Sequence, residues 1–377
     1  MNKLATLFLS HMANDMLYSA LPPLLPLLAL HHNLSVAALG MIPALYMISA
    51  SFLQVGVGFL YDRKPIYHLM PAGLLLGGLS VAAVGLLENY YLIFAAAVLG
   101  GVGSALYHPV ATSLSSVSGK RSMSVSVFMT GGDLGLALGS LVCTLAVALL
   151  GLSGTVVLLL MPLTMAFLLT RLELQPLKTQ KQQLGDEVKA VGLRSIYLLV
   201  GASVLRGLAV MSMITYLPLY LASQGYALTH AGGGLTLMLL AGAGGMITAG
   251  FLATKLGKKR VVTFLLLAAS LTAFLTPLTP SGLVLIPVSL FGFVALAAHP
   301  LLVAISHDML PNNLGVASAL IYGFTFGVVN VLVPVVGLAI DIYGYTTVLT
   351  AVAFFPLLSA LFASRIPTRK MSFRTAG

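Results

Sequence analysis

The sequence predicts an all-α, polytopic membrane protein with twelve transmembrane helices arranged as two pseudo-symmetric six-helix bundles. Three observations favour this fold class: an extreme composition, twelve apolar runs and an internal repeat. Of the 377 residues, 59% are hydrophobic and 7% are charged, whereas a soluble domain has about 25% charged residues. Twelve helices of about 20 residues would leave about ten residues for each tail or connection, so the length is sufficient.

The apolar runs are long enough to cross a bilayer and are separated by short polar connections. Polar residues interrupt the first run and only Lys3 precedes it, so we expect a retained span rather than a cleaved signal peptide. The runs, which we call spans 1 to 12, cover about residues 4–30, 35–60, 68–87, 91–115, 124–150, 153–170, 195–222, 230–253, 261–277, 282–305, 315–340 and 345–364.

Lysine and arginine residues occupy alternate connections, and the intervening connections contain neither. By the positive-inside rule, we expect a multi-pass protein of the inner membrane with both termini in the cytoplasm. Arg206 is the exception, because it falls within span 7. The cations that mark the cytoplasmic side are Lys3, Arg63, Lys64, Lys120, Arg121, Arg171, Lys178, Lys181, Lys189, Arg194, Lys255, Lys258, Lys259, Arg260, Arg365, Arg369, Lys370 and Arg374.

The longest polar stretch, residues 171–194, divides the chain into two sets of six spans. A repeat supports this division, because His108-Pro109 in span 4 recurs as His299-Pro300 in span 10, and Gly58 in span 2 recurs as Gly250 in span 8, each after about 190 residues. We therefore expect an amino-terminal bundle at 1–170, a cytoplasmic linker at 171–194, a carboxy-terminal bundle at 195–365 and a cytoplasmic tail at 366–377.

The excess of cations does not indicate a nucleic-acid-binding protein, although the formal net charge is +10. The cations lie in short connections rather than on a basic face with exposed polar or aromatic groups. The one cysteine, Cys143, excludes a disulfide framework and a cysteine metal cluster. Ser104 near His108 could suggest an intramembrane hydrolase, but no oxyanion-hole or nucleophile-elbow pattern accompanies it. We therefore expect no enzyme.

Two related glycine motifs follow spans 2 and 8. The first reads Gly58-x-x-x-Asp62-Arg63-Lys64, and the second reads Gly250-x-x-x-Thr254-Lys255-x-Gly257-Lys258-Lys259-Arg260. Both resemble the loop signature of the major facilitator superfamily, although Thr254 replaces the acid in the second copy and Pro65 truncates the first. The resemblance implies two halves that rock about a central substrate site. It also implies a gating loop on each half, built from Gly58, Asp62, Arg63, Gly250, Lys255 and Arg260.

A narrower resemblance covers nearly the whole chain. It rests on His11-x-x-Asn14-Asp15 with Leu21-Pro22, on Tyr107-His108-Pro109, on Gly131-Gly132, and on Leu310-Pro311 followed by Gly323-Phe324-Thr325-Phe326-Gly327. Together these motifs resemble the fosmidomycin-resistance branch of the superfamily, whose members are taken to be proton-coupled efflux pumps. The chain departs from that pattern at Asp133, where we expect Asn, and at Ser140, where Pro is usual. The resemblance implies drug efflux by antiport, with a proton gradient rather than a cofactor as the energy source.

Ionisable side chains within the spans indicate where the coupling chemistry lies. An Asp or Arg at a helix centre costs about 2.5 to 3.5 kcal/mol on an insertion scale, so each should face protein or water. Asp15 lies one turn from His11 in span 1, with Tyr18 near the same face. His108 in span 4 and Asp133 in span 5 lie at similar depths and could pair. An acid beside an imidazole suits proton loading near neutral pH. We therefore predict proton coupling at His11, Asp15, His108 and Asp133, although Asp15 could instead bond neighbouring helices and each His-Pro could be only a kink.

The second half carries a permanent cation where the first carries an acid. Arg206 falls about level with His11 after the repeat offset. It could bind an anionic group such as a phosphonate or carboxylate, or it could neutralise Asp15 or Asp133 across the cavity. We predict a substrate site that includes Asn14, Tyr18, Arg206, His299 and Asn330.

The function that these features favour is secondary active transport, most directly proton-coupled efflux of a small organic compound by alternating access. Two alternatives stay open on the same fold. One is transport of a divalent metal ion, because carboxylate and imidazole suit such ions, and the other is symport or uniport of a small nutrient or anion. We expect a small-molecule substrate, protons and the lipid bilayer as partners, no nucleic acid, and a monomer.

Overall fold

The computed structural model describes residues 3–64, 66–115, 121–172, 193–310, 316–317 and 319–367, without the side chains of residues 62, 121–123, 281 and 319. The expected linker at 171–194 and tail at 366–377 lie almost entirely outside these ranges. The helices that form spans 1 to 6 are Lys3–Ser19 with Leu21–His32, Val36–Arg63, Leu69–Val84, Tyr90–Ser115, Arg121–Leu150, and Gly151–Leu159 with Leu160–Thr170. Those that form spans 7 to 12 are Leu193–Ser223, Leu228–Leu256, Lys258–Leu275, Leu285–Met309, Ala319–Phe324 with Thr325–Tyr343, and Tyr345–Val352 with Phe354–Ser364.

Breaks within the spans have local causes. Span 1 is interrupted at Ala20, and the new helix begins at Leu21 with Pro22 and Pro23 in its first turn, because proline fits the first turn of a helix but cannot donate within a continuing one. Spans 5 and 6 meet at Gly151, whose φ of 65° lies in the left-handed region that favours glycine. Span 11 begins with a π-helical segment, Ala319–Phe324, and such wide turns are frequent at functional sites.

The helices pack as two sets of six. In the first set, span 1 packs on spans 5 and 6, span 4 packs on spans 2 and 3, and span 3 packs on span 6. Each of these contacts recurs in the second set between the spans numbered six higher. Spans 2 and 11, 5 and 8, and 1 and 7 join the two sets. The structure therefore confirms an all-α fold of two pseudo-symmetric six-helix bundles.

The helices have the length and apolarity of a multi-pass membrane protein. Among the described residues, 9 helices are long and apolar enough to cross a membrane. One of these, Ser124–Thr170, is 47 residues long and contains both spans 5 and 6. The shorter apolar helix Leu69–Val84 forms span 3.

The two halves are joined towards one face of the molecule. We call the face where span 1 begins and span 2 ends the terminal face, and the opposite face, where span 1 ends and span 2 begins, the distal face. In the described part of the chain, the hydrogen bonds between halves lie from the middle of the spans to the distal face, and they join Tyr18 to Met211, Ser140 to Gly232, and Val36 and Ala37 to Asp341. The described hydrogen bonds between the halves therefore join them towards the distal face, and none of those described lies at the terminal face.

Candidate functional site

Spans 1 and 4 bring three ionisable side chains together inside the first half. His11 Nε2 lies 3.3 Å from Asp15 Oδ2, and His108 Nε2 lies 3.3 Å from Asp15 Oδ1. The spacing of four residues places His11 and Asp15 on one face of span 1. The side chain of His11 is 5% exposed and that of His108 is 30% exposed. The cluster is therefore buried at His11 and partly exposed at His108.

The orientation of the His11 ring determines which of its two nitrogens carries a hydrogen when the ring is neutral. Nδ1 of His11 lies 2.7 Å from the carbonyl oxygen of Phe128, and a carbonyl only accepts, so Nδ1 carries the hydrogen. The ring also stacks on the ring of Phe128, with centroids 4.0 Å apart. In a neutral imidazole, Nε2 would then present a lone pair to the carboxylate of Asp15. The contact with Asp15 is attractive only when a second proton, or another cation, lies between the two atoms.

Asn14 and Ser104 hold the acid and the second histidine in place. Asn14 Nδ2 donates to Asp15 Oδ1 at 2.9 Å and to Ser104 Oγ at 3.2 Å. Ser104 Oγ lies 3.1 Å from His108 Nδ1. Asn14, which we predicted to bind substrate, therefore contacts the proposed coupling acid directly. Ser104 was not among the predicted site residues, although its position one helical turn before His108 is a signal that could have indicated a role.

Glycines of span 5 allow this helix to lie against the cluster. A Cβ atom at Gly132 would lie 2.6 Å from Asp15 Oδ2 and 2.8 Å from His11 Nε2. At Gly131, Gly135 and Gly139, a Cβ atom would meet the backbone of span 1. Close packing is therefore the reason for glycine at these positions. In span 11, by contrast, Gly323 faces open space and Gly327 makes only an ordinary contact.

The possible pairing of His108 with Asp133 is not observed among the described residues. His108 pairs with Asp15, and the exposed side chain of Asp133 has no hydrogen-bond or ion-pair partner among the described residues. Because successive residues of a helix are turned by about 100°, Gly132 faces the cluster while Asp133 points away from it.

The second half places a cation at the related position. Arg206 in span 7 is 2% exposed, and it donates from Nη1 to the carbonyl of Ala295 and from Nη2 to His299 Nδ1, both at 3.2 Å. No acidic side chain in the described ranges pairs with Arg206, so the alternative in which Arg206 neutralises Asp15 or Asp133 is not observed in this structure. Arg206 Nε and His299 Nε2 also lack a partner among the described atoms. Arg206 and His299 therefore each have one N–H group that is unpaired among the described atoms.

The two remaining predicted substrate residues lie elsewhere. The hydroxyl of Tyr18 donates to Met211 Sδ at 3.4 Å, which places it between the halves. Asn330 is buried, and its Nδ2 donates to Phe326 O of its own helix at 2.8 Å. Neither side chain is brought to Arg206 by a described hydrogen bond.

The described contacts of the predicted gating residues are local. Arg63 lies over the ring of Phe59 at 4.1 Å, and Lys255 lies over Phe251 at 4.5 Å, so the two motifs repeat one cation–aromatic contact. A Cβ atom would have no neighbour within 4 Å at Gly250 and only an ordinary 3.7 Å contact at Gly58. Arg260 is exposed, and the side chain of Asp62 lies outside the described atoms.

Known proteins share this architecture. The family model described as Major Facilitator Superfamily matches residues 7–334. The fosmidomycin resistance protein of Escherichia coli (strain K12) is 25% identical, with 95% of this chain and 91% of that protein covered. The uncharacterised MFS-type transporter YfnC of Bacillus subtilis (strain 168) is 26% identical, with 93% and 89% covered.

Solved structures show the same fold. The nucleoside transporter NupG superposes with a TM-score of 0.82 at 13% identity, with 97% of this chain and 100% of that chain covered. A bacterial homologue of the human lysosomal transporter Spinster, in an inward-facing and occupied conformation, gives 0.78 at 13% identity, with 96% and 95% covered. The chain therefore belongs to the Major Facilitator Superfamily and is a multi-pass membrane transporter.

Proposed function

We propose that the protein exports a small organic compound from a bacterial cytoplasm across the inner membrane in exchange for protons. The observation that carries the proposal is the cluster of His11, Asp15 and His108. Charged groups inside a span are costly unless they are paired or reach water, and this cluster satisfies both conditions. Its geometry also favours a positive charge between His11 and Asp15, which a labile proton would supply.

The distribution of cations supports the direction of access. Arg63 and Lys64 end span 2 at the terminal face, and Lys255 and Arg260 flank the connection after span 8 at the same face. By the positive-inside rule this face lies in the cytoplasm. In this proposal the structure is the inward-open state, in which substrate enters from the cytoplasm and the distal face is closed to the outside.

The proton step follows from the hydrogen bonds of His11. In the outward-open state, a proton from outside adds to Nε2 of His11 and forms an ion pair with Asp15, and substrate leaves. In the inward-open state, that proton passes through the exposed side of His108 to cytoplasmic water. Asp15 is then held by Asn14 and His108 alone. Asp133, whose exposed side chain is unpaired within the described ranges, is a second acid that can take part in this exchange.

Arg206 and His299 support an anionic group as the part of the substrate that is recognised. A guanidinium buried without a described carboxylate is an uncompensated charge, which a phosphonate or carboxylate would neutralise. The unpaired Nε–H groups of both side chains supply directional donors. The E. coli relative is named for resistance to fosmidomycin, which makes that compound the first ligand to test.

A second candidate function is transport of a divalent metal ion. The ligand atoms of His11, Asp15 and His108 lie within 4.8 Å of one another. Two imidazole nitrogens and a carboxylate oxygen are a donor set that suits ions such as zinc. In this candidate, the positive charge between His11 and Asp15 would be the transported ion rather than a proton.

A ligand screen followed by flux measurements separates these functions. Thermal unfolding of the purified protein would be followed with fosmidomycin, other phosphonates, sugars, cationic drugs and divalent metals, and the compounds that stabilise it would be tested by counterflow in proteoliposomes. A pH-sensitive dye in the lumen would report proton movement during net transport.

We expect an organic anion to stabilise the protein and protons to move against it. Asp133→Asn should slow the exchange, whereas Asp308→Asn, which removes an exposed acid paired with Lys258, should leave it unchanged. Metal-dependent stabilisation with metal flux, or protons that accompany the substrate, would contradict proton-coupled export.

A further inference from the structure

We propose that Asp341 is a latch between the two halves, whose carboxylate completes the amino terminus of span 2 and holds the distal face closed. This inference concerns the balance between the inward-open and outward-open states. It does not depend on which substrate is carried or on whether protons drive transport.

The latch consists of two hydrogen bonds across the halves. The backbone N–H of Val36 donates to Asp341 Oδ1 at 2.8 Å, and that of Ala37 donates to Oδ2 at 2.9 Å. Asp341 lies near the end of span 11, whereas Val36 and Ala37 are the first residues of span 2. Ser35 of the first half accepts from Ala38 N at 3.2 Å. The first turn of span 2 is therefore capped partly by its own half and partly by the other.

The electrostatics favour a carboxylate at this position. The amino terminus of a helix carries a partial positive charge, so an anion is stabilising there and a neutral group less so. No lysine or arginine in the described ranges forms an ion pair with Asp341, and its two described hydrogen bonds both go to span 2. The end of span 2 is thus the partner of this acid in the closed distal face.

The packing beside the latch makes it specific to one state. Gly337 lies one turn before Asp341, and a Cβ atom there would lie 2.5 Å from the hydroxyl of Tyr216 and 2.9 Å from Ala37 Cα. Gly40 of span 2 packs against the same Tyr216 ring. Span 11 reaches span 2 only when these backbones are in close contact. Separation of the halves at the distal face would therefore break both hydrogen bonds.

The related seam between spans 5 and 8 has no such charge. Span 8 begins after Ala227, which provides no side-chain cap, and Ser140 Oγ donates to Gly232 O at 3.2 Å. No carboxylate of the described residues bonds to the start of span 8. The latch therefore acts on the contact between spans 2 and 11, and its removal should not directly alter the pseudo-symmetric contact between spans 5 and 8.

Distance measurements between spin labels test the latch without any substrate. In a Cys143→Ala background, labels at His31→Cys and Thr347→Cys report the distal face, and labels at Leu60→Cys and Leu256→Cys report the terminal face. All four positions are exposed. The variants are Asp341→Ala, the isosteric Asp341→Asn, the charge-retaining Asp341→Glu, and the control Asp308→Ala, whose acid pairs within one half.

We expect Asp341→Ala and Asp341→Asn to raise the ratio of open to closed distal distances about two- to five-fold, the value of one charge at a helix terminus. The terminal pair should shorten in parallel, and Asp341→Glu should recover part of the closed population. Unchanged distances in Asp341→Asn, or an equal shift in Asp308→Ala, would overturn the proposal. Asp341→Asn keeps the shape of the side chain, so the test stands even if Asp341→Ala fails to fold. Failure of proton coupling would leave these distances unaffected.

Discussion

Replacement of Gly132 by alanine adds one methyl group directly against the ionisable cluster. The new Cβ atom would lie 2.6 Å from Asp15 Oδ2 and 2.8 Å from His11 Nε2. Its nearest neighbours are the ends of two side chains rather than backbone atoms. The helices can therefore keep their packing, while the carboxylate and the imidazole must move.

The size of the displacement follows from these distances. An ordinary contact begins near 3.4 Å, so Asp15 must retreat by about 0.8 Å from a position that now lies 3.3 Å from His11. A displacement of about 1 Å in a reacting pair can cost about 100-fold in rate. Overpacking of a core costs about 1 to 3 kcal/mol in the free energy of unfolding. We expect proton-coupled transport to fall by about 10- to 100-fold in a protein that still folds.

The assay compares coupled flux in proteoliposomes with thermal unfolding of the same preparations. Gly233→Ala is the matched control, because a Cβ atom at Gly233 has no neighbour within 4 Å, and it should change neither quantity. Gly135→Ala would press on the backbone of Met12 and should lower stability first. Wild-type coupling in a well-folded Gly132→Ala protein would refute the reasoning, because the cluster would then tolerate displacement.

Three further substitutions test separate parts of the structure. Arg206→Gln removes a buried cation that has no described carboxylate partner. It should leave the unfolding temperature of the ligand-free protein equal or higher, while weakening binding of an anionic ligand at least about ten-fold; lost stability with intact binding would contradict this. Gly232→Val would push against Thr144 where span 8 packs on span 5, and spin-label distances should show a more open distal face. Tyr107→Phe removes a buried 2.7 Å hydroxyl contact with Ser10. It should lower the free energy of unfolding by about 1 kcal/mol, measured in denaturant, without loss of transport.

The fold could be predicted almost completely from the sequence, because a membrane restricts a chain of this composition to a few solutions. Spanning segments must satisfy their own backbone hydrogen bonds, so each apolar run of sufficient length predicts a helix. The His-Pro repeat then predicts two related halves. The pairing of His11 with Asp15 followed in the same way, because a spacing of four residues fixes both the height and the side of the helix.

The partners of the site residues were less predictable, because they depend on rotation about helix axes. Counting residues placed His108 and Asp133 at similar depths but did not show that Asp133 points away from the cluster while Gly132 faces it. The contact of His11 with the carbonyl of Phe128 could not be predicted, because every residue has a backbone carbonyl and the sequence does not distinguish this one. Asp341 belongs to no recognised motif in the sequence, and its role becomes visible only when the fold places the start of span 2 beside the end of span 11.

In the proposed mechanism the cluster around Asp15 carries the transported proton, and Asp15→Asn tests this role most directly. Asparagine keeps the shape of the side chain and one acceptor for Asn14, but it removes the charge that holds a proton on His11. With the best ligand from the screen, we expect counterflow within about two-fold of the unmodified protein and proton movement during net transport below about one-tenth of it. Proton movement in full proportion to substrate in a folded Asp15→Asn protein would contradict the account.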